Sequence, residues 1–150
     1  GILFQSLGIG ASRDNAMVVV DASVVIKWFI PENGATEAEK VLNDHMFGRE
    51  DIFVPELLFY EVVNTLRYKM DIEKDAVSGF IAVLSSLELK RAGTDEQFLN
   101  AMFSLAKKYD ISVYDAAYVA LSEVFDCRLV TADAKLARKI GQNAKIQLIA

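Results

Sequence analysis

Four acidic residues stand at positions where they could form one reactive or cation-binding site. Asp21 directly follows the apolar run VVV, Asp115 opens the helical segment DAAYVALSE, and Asp133 follows LVTA. Glu61 lies within the helical pattern around YEVVN. Two carboxylates about 4 Å apart repel by roughly 4 kcal/mol at an effective dielectric of about 20. If these acids meet without a Lys or Arg partner, they must bind a cation or take up protons.

The chemistry of an all-oxygen ligand set is specific. Carboxylates select hard divalent cations, which indicates Mg²⁺ or Mn²⁺. A cation held by a few carboxylates keeps waters that phosphate oxygens can replace. The reaction indicated is hydrolysis of a phosphodiester bond, with the metal orienting and deprotonating a water.

Each acid also has a simpler structural explanation. Asp21 and Asp133 could be ordinary N-caps, and Asp115 could form a capping box with Ser112. Glu61 could be a solvated residue beside the apolar stripe of its helix. The shared position favours a common site, because the helix starts after parallel strands meet at one edge of a sheet.

Polar residues next to these acids are candidates for lining the site. Asn64 lies one helical turn after Glu61, where its amide could orient that carboxylate.

Short β-branched runs alternate with helical patterns along the chain. The predicted strands are Val18–Val20, Ile52–Val54, Leu89–Ala92, Cys127–Thr131 and Ile146–Ile149. The predicted helices cover roughly residues 22–30, 35–47, 55–70, 73–87, 94–109, 112–125 and 133–140, with Pro55 in the first turn of the third and a Thr94–Gln97 capping box opening the fifth. This alternation predicts an α/β fold, a three-layer α/β/α sandwich with a central, mainly parallel sheet.

The composition fits one folded domain. The chain has 150 residues, of which 53% are hydrophobic and 25% charged, so a disordered chain is excluded. We interpret residues 1–16 as a leader from an expression vector and residues 17–150 as the domain. The apolar stretch 17–30 is interrupted by Asp21 and Lys27, so no membrane span is expected, and we expect a cytoplasmic protein.

Single copies of two residue types exclude some other sites. Cys127 is the only cysteine and His45 the only histidine, so neither an internal disulfide nor a Cys/His zinc site can form. We expect His45 to face solvent from its helix.

The charge of the chain does not decide whether it binds nucleic acid. A net charge of −5 argues against a phosphate partner, but residues 101–150 carry 7 basic against 5 acidic residues. The cations beside the acidic motifs could track an RNA backbone or form solvated helix faces; these are Lys27, Lys135, Arg138 and Lys139.

Taken together and in order, the segments VVVDASVVIKW, PELLFYEVVNTL, ISVYDAAYVALSE and RLVTADAKL resemble the four acidic motifs of the PIN-domain family of metal-dependent ribonucleases. Their spacing is most similar to that of VapC-type toxins. The resemblance implies that the metal-binding acids are Asp21, Glu61, Asp115 and Asp133, and that Ser23 and Thr131 line the site. Lys135 stands where some relatives carry another acid, which leaves open whether one or two ions bind.

The resemblance also implies partners: an RNA substrate, a second copy of the chain in a homodimer, and a cognate antitoxin near Trp28. Many large apolar residues are not expected to fit one core, which predicts an exposed apolar patch; these are Trp28, Phe29, Phe47, Phe59, Tyr60 and Phe103. Two alternatives stay open, a non-toxin PIN nuclease of RNA processing and a catalytically silent PIN module that binds RNA or protein. A response-regulator receiver is disfavoured because Asp21 has no acidic neighbour.

Overall fold

The structure is a computed structural model that describes residues 15–30, 32–69 and 73–149. Strands and helices alternate along these ranges. The strands are β1 (Ala16–Val20), β2 (Glu50–Pro55), β3 (Lys90–Ala92), β4 (Leu129–Thr131) and β5 (Ile146–Leu148). The helices are α1 (Ala22–Phe29), α2 (Ala35–Met46), α3 (Leu57–Tyr68), α4 (Lys74–Ser86), α5 (Glu96–Tyr109), α6 (Val113–Phe125) and α7 (Ala134–Ile140).

The five strands form one parallel sheet in the order β3-β2-β1-β4-β5. Strand β1 lies in the centre, with Val18 opposite Ile52 of β2 and Val19 opposite Leu129 of β4. The side chains of residues 18–20 have no exposed surface. A parallel sheet covered on both faces requires such apolar strands, and the predicted α/β/α fold is confirmed.

The helices that carry the acids pack directly on this sheet. Helix α6 contacts β1, β2 and β4 and is backed by α5, and residues 116–122 are all buried. A helix that is apolar all round belongs in the interior. Helix α1 packs against α2, α3 and β4. The start of each helix therefore has a fixed position relative to the strand ends.

Two predictions about helix starts are wrong. Pro55 is the last residue of β2, opposite Ala92, so α3 begins only at Leu57. Helix α5 is capped by Asp95, one residue after Thr94; its carboxylate accepts a hydrogen bond from the Phe98 amide at 2.8 Å. A carboxylate at this position also complements the helix dipole.

The apolar stripe of α3 differs from the one that helical spacing predicts, which is Phe59, Val62, Val63, Leu66 and Met70. Leu58, Val62 and Leu66 are buried at four-residue spacing, whereas Val63 is 42% exposed. Residues four apart lie on one face, so Val63 falls beside the stripe and Glu61 takes a half-buried position.

His45 does not face solvent, contrary to the prediction. Its Nδ1 accepts a hydrogen bond from the Ile52 amide at 3.0 Å, and its Nε2 lies 2.8 Å from the Leu87 carbonyl oxygen. The ring thus connects the end of α2 to β2 and to the turn before β3. An isolated histidine in a helical pattern carries no signal for this role.

Residues 1–14 of the predicted leader lie outside the described residues. Ala16, which the same prediction included, is the first residue of β1 and pairs with Glu50. None of the helices in the described ranges has the length and apolarity that a bilayer crossing requires.

Candidate active site at the carboxyl edge of the sheet

Asp21 is the central acid of the site. It follows β1 and caps α1, and its carboxylate accepts hydrogen bonds from the Ser23 amide at 3.0 Å and from the Ser23 hydroxyl. The Thr131 hydroxyl donates to its other oxygen at 2.5 Å. The residue is only 7% exposed. These donors hold a buried carboxylate in one orientation.

The hydroxyls of Ser23 and Thr131 connect the ends of β1 and β4. Ser23 Oγ accepts from the Ala132 amide at 2.8 Å, and Thr131 Oγ1 accepts from the Asp133 amide at 3.0 Å. Each hydroxyl therefore accepts from the β4 loop and donates to Asp21. Both residues therefore lie beside Asp21, and they fix the loop that carries Asp133.

Glu61 reaches the same edge from α3. The hydroxyl of Tyr118 on α6 donates to Glu61 Oε1 at 2.5 Å. Asn64, which the sequence analysis paired with Glu61, is exposed and makes no side-chain hydrogen bond within the described part of the chain. The group that orients Glu61 is thus a phenol from another helix.

Asp115 lies in the first turn of α6, and Asp133 precedes α7. Ser112 caps α6 by accepting from the Asp115 amide at 3.0 Å, and its hydrogen bond to the Asp115 carboxylate opposes the rise in that pKa. Asp133 does act as a cap, accepting from the Leu136 amide at 3.1 Å. Asp133 is exposed and Asp115 half-buried. The acids therefore range from buried Asp21 to exposed Asp133.

Burial and mutual repulsion both act on these carboxylates. Burial raises the pKa of Asp21, against the hydrogen bonds that favour its ionised form. Burial is also the largest cause of the raised pKa of Glu61, and the charges of Asp115 and Asp21 add to it. The pKa of Asp115 is raised by burial and then by the charge of Asp133. The four acids thus form one electrostatically connected set.

The donor set fits a hard divalent cation in its chemistry. All four groups are carboxylates, and no ion pair neutralises any of them within the described ranges. Over the same residues, no three acidic, His or Cys side chains converge closely enough to hold one ion by themselves. Magnesium ordinarily binds through one or two carboxylates and keeps several waters, so this open arrangement suits it.

Tyr118 is the functional candidate that the sequence analysis missed. It lies three residues after Asp115, which places both side chains on the same face of α6. Its side chain is 1% exposed, and the charges of Glu61, Asp21 and Asp115 contribute to its raised pKa. The three-residue spacing from Asp115 was the available signal.

Comparisons with known proteins agree with this architecture. The PIN domain family matches residues 18–141. Ribonuclease VapC3 of Pyrobaculum aerophilum is 31% identical over 126 residues, which cover 81% of this chain and 93% of the relative. Ribonuclease VapC12 of Mycobacterium tuberculosis is 28% identical over 138 residues, covering 89% of this chain and all of the relative.

A solved toxin-antitoxin complex from Klebsiella pneumoniae shares the fold, with a TM-score of 0.65 at 13% identity over 87% of this chain and 95% of that one. The edge that carries Asp21, Glu61, Asp115 and Asp133 lies within the matched range. The chain belongs to the PIN-domain family and, within it, to the VapC ribonucleases.

Proposed function

We propose that this protein is an endoribonuclease that hydrolyses phosphodiester bonds of cytoplasmic RNA with Mg²⁺ or Mn²⁺, and that it is the toxin of a type II toxin-antitoxin pair. The curated relatives are named ribonucleases, which supports hydrolysis of RNA. The single observation that carries the proposal is the set of four electrostatically connected carboxylates at the carboxyl edge of a PIN-domain sheet.

The acids and the hydroxyl groups of the site would have different roles in the reaction. Asp21, Glu61, Asp115 and Asp133 would hold the cation, which supplies Lewis-acid polarisation of the phosphate and a bound water of lowered pKa. Ser23 and Thr131 favour the ionised form of Asp21 and orient it by donating to both of its oxygens.

Protonation of the acids would respond to the cation. The raised pKa values of Glu61 and Asp115 come partly from neighbouring negative charge. A positive charge among them would lower those pKa values again and so favour the ionised carboxylates. Tyr118 stays neutral, and its hydroxyl donates a hydrogen bond to Glu61.

Cleavage of single-stranded RNA by the purified protein tests the proposal. We expect activity with Mg²⁺ or Mn²⁺, loss of activity with chelator, and a rate lowered by orders of magnitude in Asp115→Asn, which removes a charged ligand but keeps its shape. Calorimetric titration with Mn²⁺ should show weaker binding to the same variant. Cleavage by the metal-free protein would contradict the metal dependence, and RNA binding without any cleavage would favour the silent module.

The exposed apolar side chains support protein partners. Phe47, Tyr60 and Phe103 are 70%, 71% and 62% exposed, whereas Phe29 and Phe59 pack partly buried against the core. Trp28 instead packs inward, and its Nε1 donates to the Ala38 carbonyl at 2.9 Å. Surface aromatic residues of this size are typical of protein interfaces.

We propose a homodimer and a separate antitoxin as the two partners. An antitoxin that inhibits by placing a guanidinium against the acids would pair with carboxylates in place of the cation. Sedimentation at micromolar concentration tests the dimer, and a monomer there would contradict it. For inhibition, the co-purified antitoxin should bind an Asp21→Ala, Asp115→Ala double variant more weakly than the native protein; equal binding would contradict this mode.

A further inference from the structure

A groove of about 340 Å³ lies beside the acids, between α1 and α3. Ser23 and Ala132, which frame Asp21 and Asp133, also line this groove. The opposite wall includes Thr65 and Lys69 of the end of α3. The groove is therefore continuous with the candidate active site through shared residues.

Two ammonium groups face this groove and share one carboxylate. Lys27 Nζ donates to the Asn33 carbonyl at 2.5 Å and to Glu32 Oε2 at 3.3 Å. Lys69 Nζ donates to Glu32 Oε1 at 3.2 Å. Glu32 is the only acid among the described residues of the groove wall, so its charged groups sum to one positive charge.

The two lysines differ in burial and in the number of their hydrogen-bond partners. The Lys27 side chain is 8% exposed, and it secures the loop after α1 through Asn33 and Glu32. The Lys69 side chain is 43% exposed and has Glu32 as its single partner among the described residues. An exposed ion pair of this kind contributes little to stability, so Lys69 can exchange Glu32 for another anion at little cost.

We propose that this groove binds a phosphodiester group of the RNA strand next to the one being hydrolysed, with Lys69 and Lys27 as its cationic contacts and Glu32 as the carboxylate that the phosphate displaces. The inference rests on the proposed ribonuclease function and adds a substrate subsite to it. An RNA strand whose scissile phosphate lies at Asp21 has this groove beside it across Ser23, and the net positive charge of the groove attracts the next phosphate.

Opposite charge changes at Lys69 and Glu32 test the subsite. The measurements are steady-state cleavage of a short labelled RNA with Mg²⁺ and its dependence on salt. Lys69→Gln should raise KM about fivefold with little change in kcat, and should reduce the salt slope of kcat/KM by about 0.7, the value for one phosphate contact on a single strand. Glu32→Gln should lower KM and steepen the slope, because it releases both ammonium groups.

Lys145→Gln is the matched control. Lys145 forms a similar exposed pair with Asp126 at 2.8 Å. It precedes β5, at the amino end of the strands and so away from the acids. We expect its KM and salt slope to equal those of the native protein. If the lost charge acted only through the overall electrostatic field of the protein, Lys69→Gln and Lys145→Gln would change KM and the salt slope equally. That result would overturn the subsite.

The result separates this inference from the proposed function. If the native protein cleaves RNA while Lys69→Gln retains the native KM and salt slope, the subsite is overturned, the ribonuclease function stands, and the groove is left to a protein partner. If the native protein does not cleave RNA, the proposed function fails first. A Glu32→Gln variant that binds RNA more weakly would also overturn the subsite.

Discussion

The hydroxyl of Tyr118 donates a hydrogen bond to Glu61 Oε1 at 2.5 Å, across 57 residues of sequence. It connects α3 to α6, and α6 also carries Asp115. A neutral phenol orients the carboxylate without cancelling its charge, so Glu61 stays available to a cation. The position of Glu61 in the site thus depends on a contact between two helices.

Removing this hydroxyl should weaken the metal site more than the fold. Tyr118→Phe keeps the ring and loses a hydrogen bond to a charged group, which is worth about 1.5 kcal/mol. We expect Mn²⁺ affinity, measured by calorimetry, to fall about tenfold, with a matching loss of RNA cleavage at low metal concentration.

Tyr109→Phe is the control for this prediction. Tyr109 is also a buried tyrosine, but its hydroxyl has no hydrogen-bond partner among the described residues. Its removal should leave metal affinity unchanged and leave stability unchanged or slightly higher. Equal losses of metal affinity in the two variants would show that Tyr118 acts only through packing.

Without metal, the charge of Glu61 should destabilise the fold at neutral pH. Glu61→Gln keeps an acceptor for Tyr118 and removes repulsion with Asp115 and Asp21. Because the folded state raises the pKa of Glu61, it binds a proton more tightly than the unfolded chain does. The stability from that proton is complete below the ordinary pKa of 4.5 and is lost as pH rises through the folded value.

Thermal melts of the metal-free protein check whether the charge of Glu61 destabilises the fold at neutral pH. At neutral pH Glu61→Gln should be more stable, by on the order of 1 kcal/mol once solvent screening of this half-buried group is allowed for. Below about pH 4 the two proteins should melt together. Saturating Mg²⁺ should stabilise the native protein more than the variant. Glu123→Gln, an exposed position on α6, should show none of these differences.

His45→Ala should lower stability without changing the chemistry. The variant leaves the amide of fully buried Ile52 without its acceptor and the Leu87 carbonyl without its partner. An unpaired buried donor costs about 2 kcal/mol. Urea denaturation should show this loss, while kcat at a temperature where the variant is folded should match that of the native protein. A large fall in kcat would contradict a purely structural role.

The opposite edge of the sheet offers a further stability test. Arg128 forms two parallel hydrogen bonds with Glu50, at 2.6 and 2.8 Å, and so joins the starts of β4 and β2. Arg128→Lys removes the bidentate geometry and should cost about 1 kcal/mol in a denaturant melt. RNA cleavage should be unchanged because these residues lie at the end of the sheet away from the acids. No change in stability would mean that a single hydrogen bond to Glu50 stabilises the fold as well as two do.

The sequence by itself determined the elements and the positions of three acids. Short β-branched runs and helical spacing are local properties, so the parallel sheet was predictable from Val18–Val20 and its counterparts. Asp21 and Asp133 stand where strands give way to helices, which parallel strands bring to one edge, and Asp115 stands at the start of a helix that follows another helix. Ser23 and Thr131 came from the resemblance of DAS and TAD to the family's motifs.

Only the tertiary structure decided the contacts between distant side chains. The choice of Tyr118 over Asn64 as the partner of Glu61 depends on how α3 and α6 face each other, and the inward orientation of His45 depends on how α2 meets β2. The pairing of Lys69 with Glu32 across the groove is of the same kind. Sequence periodicity specifies which face of a helix is buried, but hydrogen-bond partners are selected by the packing of whole elements, which no local pattern contains.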